Sequence, residues 1–279
     1  MTKNIKTMYI EPCAGLGNRL LAIGSAVFWA HKMNYHLIVL WKKETACCVS
    51  WNSIFEEPRN FEVKELNQMP KTIDNFFEVA SGNLYLNKIR KSAYVLECDE
   101  VAQLWEKDRV VFEKKLEEAP GNIYIKSYGQ FAPDSEMNRA IRSIEFATSI
   151  INRVNDIMQG KNNVYGIHIR RTDHIEAIEH STTLKYEKKM SEALRYDENC
   201  EFYIASDDQR EIDELNKKYR CISHLNYSDI ISRESNDGMK DAVVDMLCLS
   251  RCVKIFGAYG STFSKLASII GNIPLEVIT

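Results

Sequence analysis

Apolar residues fall in short runs that alternate with longer segments of helical spacing. Met8 to Cys13 reads as a strand, Ala14 to Gly17 as a turn, Asn18 to Lys32 as a helix and the apolar run His36 to Trp41 as a buried strand. Strand, glycine turn, helix and strand within about thirty-five residues make one βαβ unit. From Thr45 to Gln130 the pattern blurs. Pro58, Pro70 and Pro120 interrupt it and only Asn122 to Ser127 alternates as a strand, which predicts the less regular half of an N-terminal domain. After Pro133 regularity returns, with helices expected over 138–158, 183–196, 208–219, 239–250 and 261–270. Strands are expected between them over 164–169, 201–205, 221–225, 253–256 and 275–278. Such alternation predicts an α/β fold with parallel sheets and helices on both faces. The boundary between two α/β halves is expected near residues 133–160, giving domains 1–150 and 151–279.

Composition narrows the picture. The 279 residues include 36 Lys+Arg and 39 Asp+Glu, a formal charge of −3, and 45% of them are hydrophobic. Two modest domains of this kind bury cores without staples. No basic field marks a nucleic-acid partner, so any anionic ligand must be met by a few placed cations. The eight cysteines include no Cys-x-x-Cys pair or Cys/His cluster of zinc spacing, and Cys248 and Cys252, four apart on a helix, are a weak metal signal alone. Reduced thiols and no metal centre are expected. The longest apolar stretch near the N-terminus, Leu20 to Ala30, contains Gly24 and Ser25 and is about half a bilayer long. The expectation is a cytoplasmic protein with no signal peptide and no membrane span, a state compatible with peripheral membrane association.

In open parallel sheets ligands bind beyond the carboxyl ends of the strands. The residues there are Gly15, Gly17, Asn18 and Arg19 after the first strand, Arg170 to His174 after the strand 164–169, Ser206, Asp207 and Asp208 after 201–205, and Gly257 to Ser264, with Ser261 and Thr262, after 253–256. Asp245 lies on the helix leading into that last strand. Each has a bland alternative. Gly-Leu-Gly makes a plain strand-to-helix turn, and Ser and Asp are favoured helix caps. Asp245 shares its spacing with Asp241 and Asp237 on the wet face of an amphipathic helix. Arg170 and Arg171 are harder to dismiss, because two guanidiniums ending an apolar strand cost desolvation unless anions meet them. Strand alternation sends them to opposite sides, so one is expected to reach phosphate and the other to be held by acids or reach substrate.

These residues carry a resemblance. His168-Ile-Arg170-Arg171-Thr172-Asp173 resembles the His-x-Arg-Arg-Thr-Asp motif of the GDP-fucose-dependent fucosyltransferase superfamily, in particular its α-1,6-fucosyltransferase and nodulation-protein-Z group. The Gly15 to Arg19 loop, Phe202 to Asp208, Asp241 to Ser250 and Ser261 to Ala267 follow in the family's order. Residues 45–130 match nothing in it. The resemblance implies a GT-B-type transferase of two Rossmann-like domains facing a cleft, with the donor held mainly by the C-terminal domain. It implies inverting transfer of fucose from GDP-fucose to a glycan, polysaccharide or lipid-linked acceptor, with no cofactor and no metal. Arg170 is similar to the arginine on the β-phosphate, His168 and Asp245 to residues on guanine, Ser261 to a serine on the diphosphate, and Gly15 to Arg19 to the loop closing over the donor.

Chemistry adds a base to that set. An acceptor hydroxyl needs a carboxylate within reach. Glu176, Glu179 and Asp173 are candidates just after the arginines, with Glu11 a further one. The family has a lysine after Thr-Asp where this chain has His174. Two alternatives stay open: a transferase of another GDP-hexose, and a non-catalytic GDP-sugar or glycan-binding module. Trp51, Phe55, Phe76, Phe77 and Trp105 could stack on sugars or fill a core.

Overall fold

The computed structural model describes residues 5–69, 76–172, 174–223 and 235–279. It divides into two compact units at Ala147 and Thr148. The first contains β1 (Thr7–Pro12), α1 (Leu16–Met33), β2 (His36–Lys43), β3 (Glu62–Asn67), α2 (Phe76–Ser92), β4 (Tyr94–Leu96), α3 (Cys98–Lys107), α4 (Arg109–Glu117), β5 (Ile123–Ser127) and α5 (Asp134–Arg142). Its sheet runs β3-β2-β1-β5-β4 and every pairing is parallel. Met8, Ile10, Val39, Leu40, Ile123 and Ile125 are fully buried in it, which is why these strands read as continuous apolar runs.

The second unit contains α6 (Thr148–Met158), β6 (Val164–Ile169), α7 (Ile175–His180), α8 (Thr183–Tyr196), β7 (Glu201–Ser206), α9 (Gln209–Asn216), β8 (Cys221–Ile222), α10 (Asn236–Ser250), β9 (Lys254–Ala258), α11 (Thr262–Gly271) and β10 (Leu275–Ile278). Its parallel sheet runs β10-β9-β6-β7-β8. The chain moves outward from β6 through β7 to β8, then returns to β9 on the other side. The strand order therefore reverses between β6 and β9, and that reversal opens a crevice at their carboxyl ends. Side chains alternate across the sheet. Ile167, Ile169, Phe202, Ile204 and Phe256 pack with Tyr186 and Met190 of α8 and Ile212 and Leu215 of α9 on one face. The opposite face carries Gly166, His168 and Tyr203, against α10 and α11.

Several sequence expectations need correction. The helix expected over 138–158 is two helices, because Glu145 O accepts the Glu56 N–H and Ala147 N–H donates to Ile54 O, tying the intervening backbone to another segment. Among the described residues the irregular stretch 45–130 contains, besides the expected strand at Ile123–Ser127, two further strands and three α-helices. The strand expected over 221–225 is seen as Cys221–Ile222, its last two residues lying outside the described ones. No helix among the described residues is long and apolar enough to cross a membrane.

Candidate functional site

The crevice between β6 and β9 gathers most of the singled-out residues. Arg171 extends from β6 to the α8/α9 face. Its Nε donates to Glu211 Oε1 at 2.8 Å, Nη2 to Thr183 Oγ1 at 3.1 Å, and Nη1 to the carbonyls of Ser181 and Arg170 at 3.0 and 3.1 Å. This guanidinium is a strut inside the protein, held by an acid. Arg170, two residues beyond His168, belongs to the α10/α11 side and has 20% of its side chain exposed.

Asp207, at the end of β7, fixes the backbone that presents them. Its Oδ1 accepts the Arg171 N–H at 2.7 Å, and its Oδ2 accepts from the Thr172 hydroxyl at 2.7 Å and the Thr172 N–H at 3.3 Å. The Arg170 Nε lies 3.7 Å from the same carboxylate. Asp208 is a helix cap: it accepts the Arg210 N–H at 3.0 Å at the start of α9 and pairs with the Arg210 guanidinium, which holds its carboxyl below the usual range.

His168 is buried, its ring stacked on Phe263 of α11 with centroids 4.8 Å apart. Burial, followed by the nearby Arg170 charge, pushes its pKa down to about 3, so the imidazole is neutral. Its Nδ1 is buried and has no hydrogen-bond partner. A buried polar atom left open in an ordered strand is where a ligand contact is expected.

The other wall of the crevice is the β9–α11 turn. Ser261 caps α11 by accepting the Phe263 N–H at 3.3 Å, and Thr262 opens the helix, so the free N–H groups of that terminus face the loop. Gly260 has φ +65, and a Cβ there would lie 3.2 Å from Cε1 of His174. His174 in turn caps α7, its Nδ1 accepting the Ala177 N–H at 3.0 Å; in the neutral ring the proton is therefore on Nε2. Ser181, fully buried, ties these loops together. It donates to Ile278 O at 2.6 Å, accepts the Tyr259 N–H at 2.8 Å, and offers its carbonyl to Arg171. Sequence reasoning missed Ser181 and Glu211, because a buried serine and a helical glutamate carry no signal until their partners are adjacent. Glu176 and Glu179 are exposed on α7. Asp173 lies outside the described residues.

The residues from the first unit have varied placements. Gly15 is the N-cap of α1, with open space where its side chain would be, Gly17 is buried and Asn18 is half-buried. Arg19 is fully buried. It donates to Ala14 O at 2.8 Å, Lys42 O at 2.6 Å and Glu44 Oε1 at 2.6 Å, and lies over the Trp41 ring. These partners tie it into the loop that follows β1. Glu11 is also buried, with Lys42 Nζ at 3.0 Å, Lys126 Nζ at 3.6 Å and the Tyr124 hydroxyl donating to it. Burial raises its pKa, but Lys42 and the hydrogen bonds outweigh that and lower it, so Glu11 is a poor proton acceptor. Trp51, Phe55 and Trp105 are core, whereas Phe76 and Phe77 are exposed. All eight cysteines are free thiols, and among the described residues no group of three or more His, Cys, Asp or Glu is placed to hold a metal ion.

Comparison with solved structures finds the same fold. NodZ α-1,6-fucosyltransferase of Bradyrhizobium, soaked with GDP-fucose, matches with a TM-score of 0.66 and 17% identity over 95% of this chain and 92% of that one. A mutant of Arabidopsis thaliana FUT1 in complex with GDP matches at 0.62 and 14%, over 98% and 70% of the two chains. POFUT1 in complex with GDP-fucose matches at 0.60 and 12%, over 98% of each. No protein-family model and no curated protein matches the chain. The fold class is the GT-B-type α/β arrangement expected from the sequence.

Proposed function

We propose that this chain is an inverting glycosyltransferase that moves L-fucose from GDP-fucose to a hydroxyl of a glycan, polysaccharide or lipid-linked acceptor, without a metal ion. The observation that carries the reading is the β6–β9 crevice. There Arg170, the N-terminus of α11 and a neutral, buried His168 with an open Nδ1 lie on one face of the sheet. The fold shared with structures that hold GDP and GDP-fucose supports it.

Each residue takes a role that follows from its position. His168 and Asp245 meet guanine. Ser261, Thr262 and the α11 N–H groups meet the diphosphate, and the Gly15 to Asn18 loop of the first unit adds donor contacts. Arg170 stands where negative charge grows as the bond from sugar C1 to the β-phosphate oxygen breaks and GDP leaves with the electron pair. The acceptor oxygen bonds to C1 from the opposite face, and its proton passes to a carboxylate. Glu176 or Glu179, both water-exposed on α7, is that base, with Asp173 the third candidate. Arg171 and Asp207 keep Arg170 aimed. The first unit is the acceptor side, and the free thiols suit a reducing cytoplasm.

A donor screen by calorimetry, with GDP and GDP-sugars and with or without a chelator, tests the reading. GDP binding that survives the chelator is expected, and no GDP binding under either condition would overturn the proposal. Hydrolysis of GDP-fucose against GDP-mannose then separates fucose from another GDP-hexose. Glu176, Glu179 and Asp173 changed together to amides should abolish transfer. Retained transfer would remove the base from this loop.

A further inference from the structure

The first unit has a groove of about 550 Å³ at the carboxyl ends of β2 and β3. Lys43 and Asn67, the last pair of the β2–β3 register, border it, with Lys64 and Glu65 just before Asn67 on β3. Helix α2 forms the other wall through Glu78, Ser81, Gly82 and Tyr85, whose spacing of three, one and three residues puts them on one helix face. Because β1, β2 and β3 are parallel neighbours, the groove opens at the same sheet edge as the loop that carries Gly15. Its polar groups are already oriented. Asn67 Nδ2 donates to Glu78 Oε2 at 2.8 Å, the Trp51 N–H donates to Glu65 Oε1 at 2.7 Å, and Lys64 Nζ lies over the Tyr85 ring, 5.6 Å from its centroid. The small residues Ser81 and Gly82 keep the α2 wall low.

We propose that this groove is a saccharide subsite, taking one or two neutral sugar units of the acceptor apart from the unit that is modified. The proposal rests on the glycosyl transfer proposed above. Lys43 and Lys64 are balanced by Glu65 and Glu78, so the groove has no net field to hold a polyanion. Among the described residues only Leu66 and Tyr85 give it large apolar surface, whereas a site for a lipid chain is lined mainly by such side chains. A sugar hydroxyl both donates and accepts, so neighbouring hydroxyls can meet a carboxylate and an ammonium or amide together. Asn67 fixes the Glu78 carboxylate in advance, which lowers the ordering cost of that contact. The volume falls within the range of about 300–1,000 Å³ typical of small-molecule sites. Apart from Lys43, the lining comes from the stretch 45–130, outside the family's motifs, and that is where contacts peculiar to this chain's own acceptor belong. Grip on remote sugar units holds the reacting hydroxyl in place.

The test measures binding to the full chain, by saturation-transfer NMR and calorimetry, of neutral tetrasaccharides of glucose, galactose, mannose and N-acetylglucosamine, with a galacturonate tetramer and GDP beside them. At least one neutral tetrasaccharide should bind. Ser81→Trp, at an exposed position on α2, fills the groove and should abolish that binding while GDP affinity holds. Glu78→Gln should weaken it about tenfold, the size of a hydrogen bond to a charged group. No binding of any neutral tetrasaccharide, tighter binding of galacturonate than of all of them, or binding that survives Ser81→Trp would overturn the proposal. Should Ser81→Trp not fold, Glu78→Gln decides, and an unchanged affinity refutes it. GDP binding without saccharide binding sinks the subsite alone, whereas saccharide binding without GDP binding removes the proposed transfer and leaves the groove a glycan site.

Discussion

Arg170 and Arg171 are neighbours in sequence and should give opposite phenotypes. Arg171→Ala removes the partner of Glu211, whose side chain is 18% exposed, and leaves the Ser181 carbonyl without its guanidinium donor. Breaking a largely buried pair from one side costs about 3–5 kcal/mol. Since Glu211 keeps some water and the Thr183 hydroxyl, the lower end, about 3 kcal/mol, applies. At about 2–4 °C per kcal/mol for chains of this order, the melting temperature should fall by about 6–12 °C. Arg170→Ala removes a guanidinium 3.7 Å from Asp207, which keeps its bonds from Arg171 and Thr172. Because that pair is longer than the 2.8 Å one of Arg171, and Asp207 keeps its other donors, the loss of stability should be smaller than for Arg171→Ala, yet kcat should fall by about 10²–10³, as loss of a stabiliser of developing charge does. Thermal melts and GDP-fucose turnover well below both melting points distinguish them. If Arg170→Ala melts many degrees low while Arg171→Ala melts as wild type, strand alternation does not divide their roles. Wild-type turnover by Arg170→Ala would refute its part in the chemistry.

Three further predictions follow from single sites. His168 titrates near 6.5 when unfolded and about 3 when folded. The unfolded chain therefore binds more protons in that window, and stability should rise with pH from 3 to 6.5 by up to about 1.4 kcal/mol per unit; His168→Gln should flatten the slope in urea titrations across this range. At Gly257 an added Cβ would lie 2.6 Å from Ser264 Oγ and 2.7 Å from Leu275 Cδ1. Gly257→Ala should cost about 1–3 kcal/mol, and by displacing α11 it should weaken GDP binding in calorimetry. Arg19→Ala should destabilise the first unit by about 3–5 kcal/mol in denaturant melts, and GDP affinity of the folded fraction should hold; a loss of affinity without a loss of stability would place Arg19 at the ligand.

The second unit was legible in the sequence because its central strands β6, β7 and β9 are largely buried and so read as apolar runs. The division expected between Arg170 and Arg171 needed only the two-residue period of a strand. Helix α2 was hidden because its inner face is Val79, Gly82, Leu86 and Ile89: one of four contacts is a glycine, which no hydrophobic pattern registers. Helices α3 and α4 bury two residues each, and β4 has three residues in all. The break between α5 and α6 contains neither Gly nor Pro. It is imposed by backbone bonds to residues 54–56, a tertiary effect that local propensity does not contain. Arg19 after a glycine pair reads as a ligand contact, and Glu44, the acid it pairs with, is twenty-five residues away.

In the first sheet β5 lies between β1 and β4, although it is the last of the five strands to be made. Until Ile123–Ser127 leaves the ribosome, β1 has one bare edge and β4 has no neighbour. Glu11 meanwhile lacks the Tyr124 hydroxyl and Lys126 that enclose it. A nascent chain stalled before that strand displays an apolar ribbon edge and an incompletely compensated carboxylate together. Arrival of five residues closes both, so this unit is expected to fold late and in one step, long after its opening βαβ segment has been synthesised.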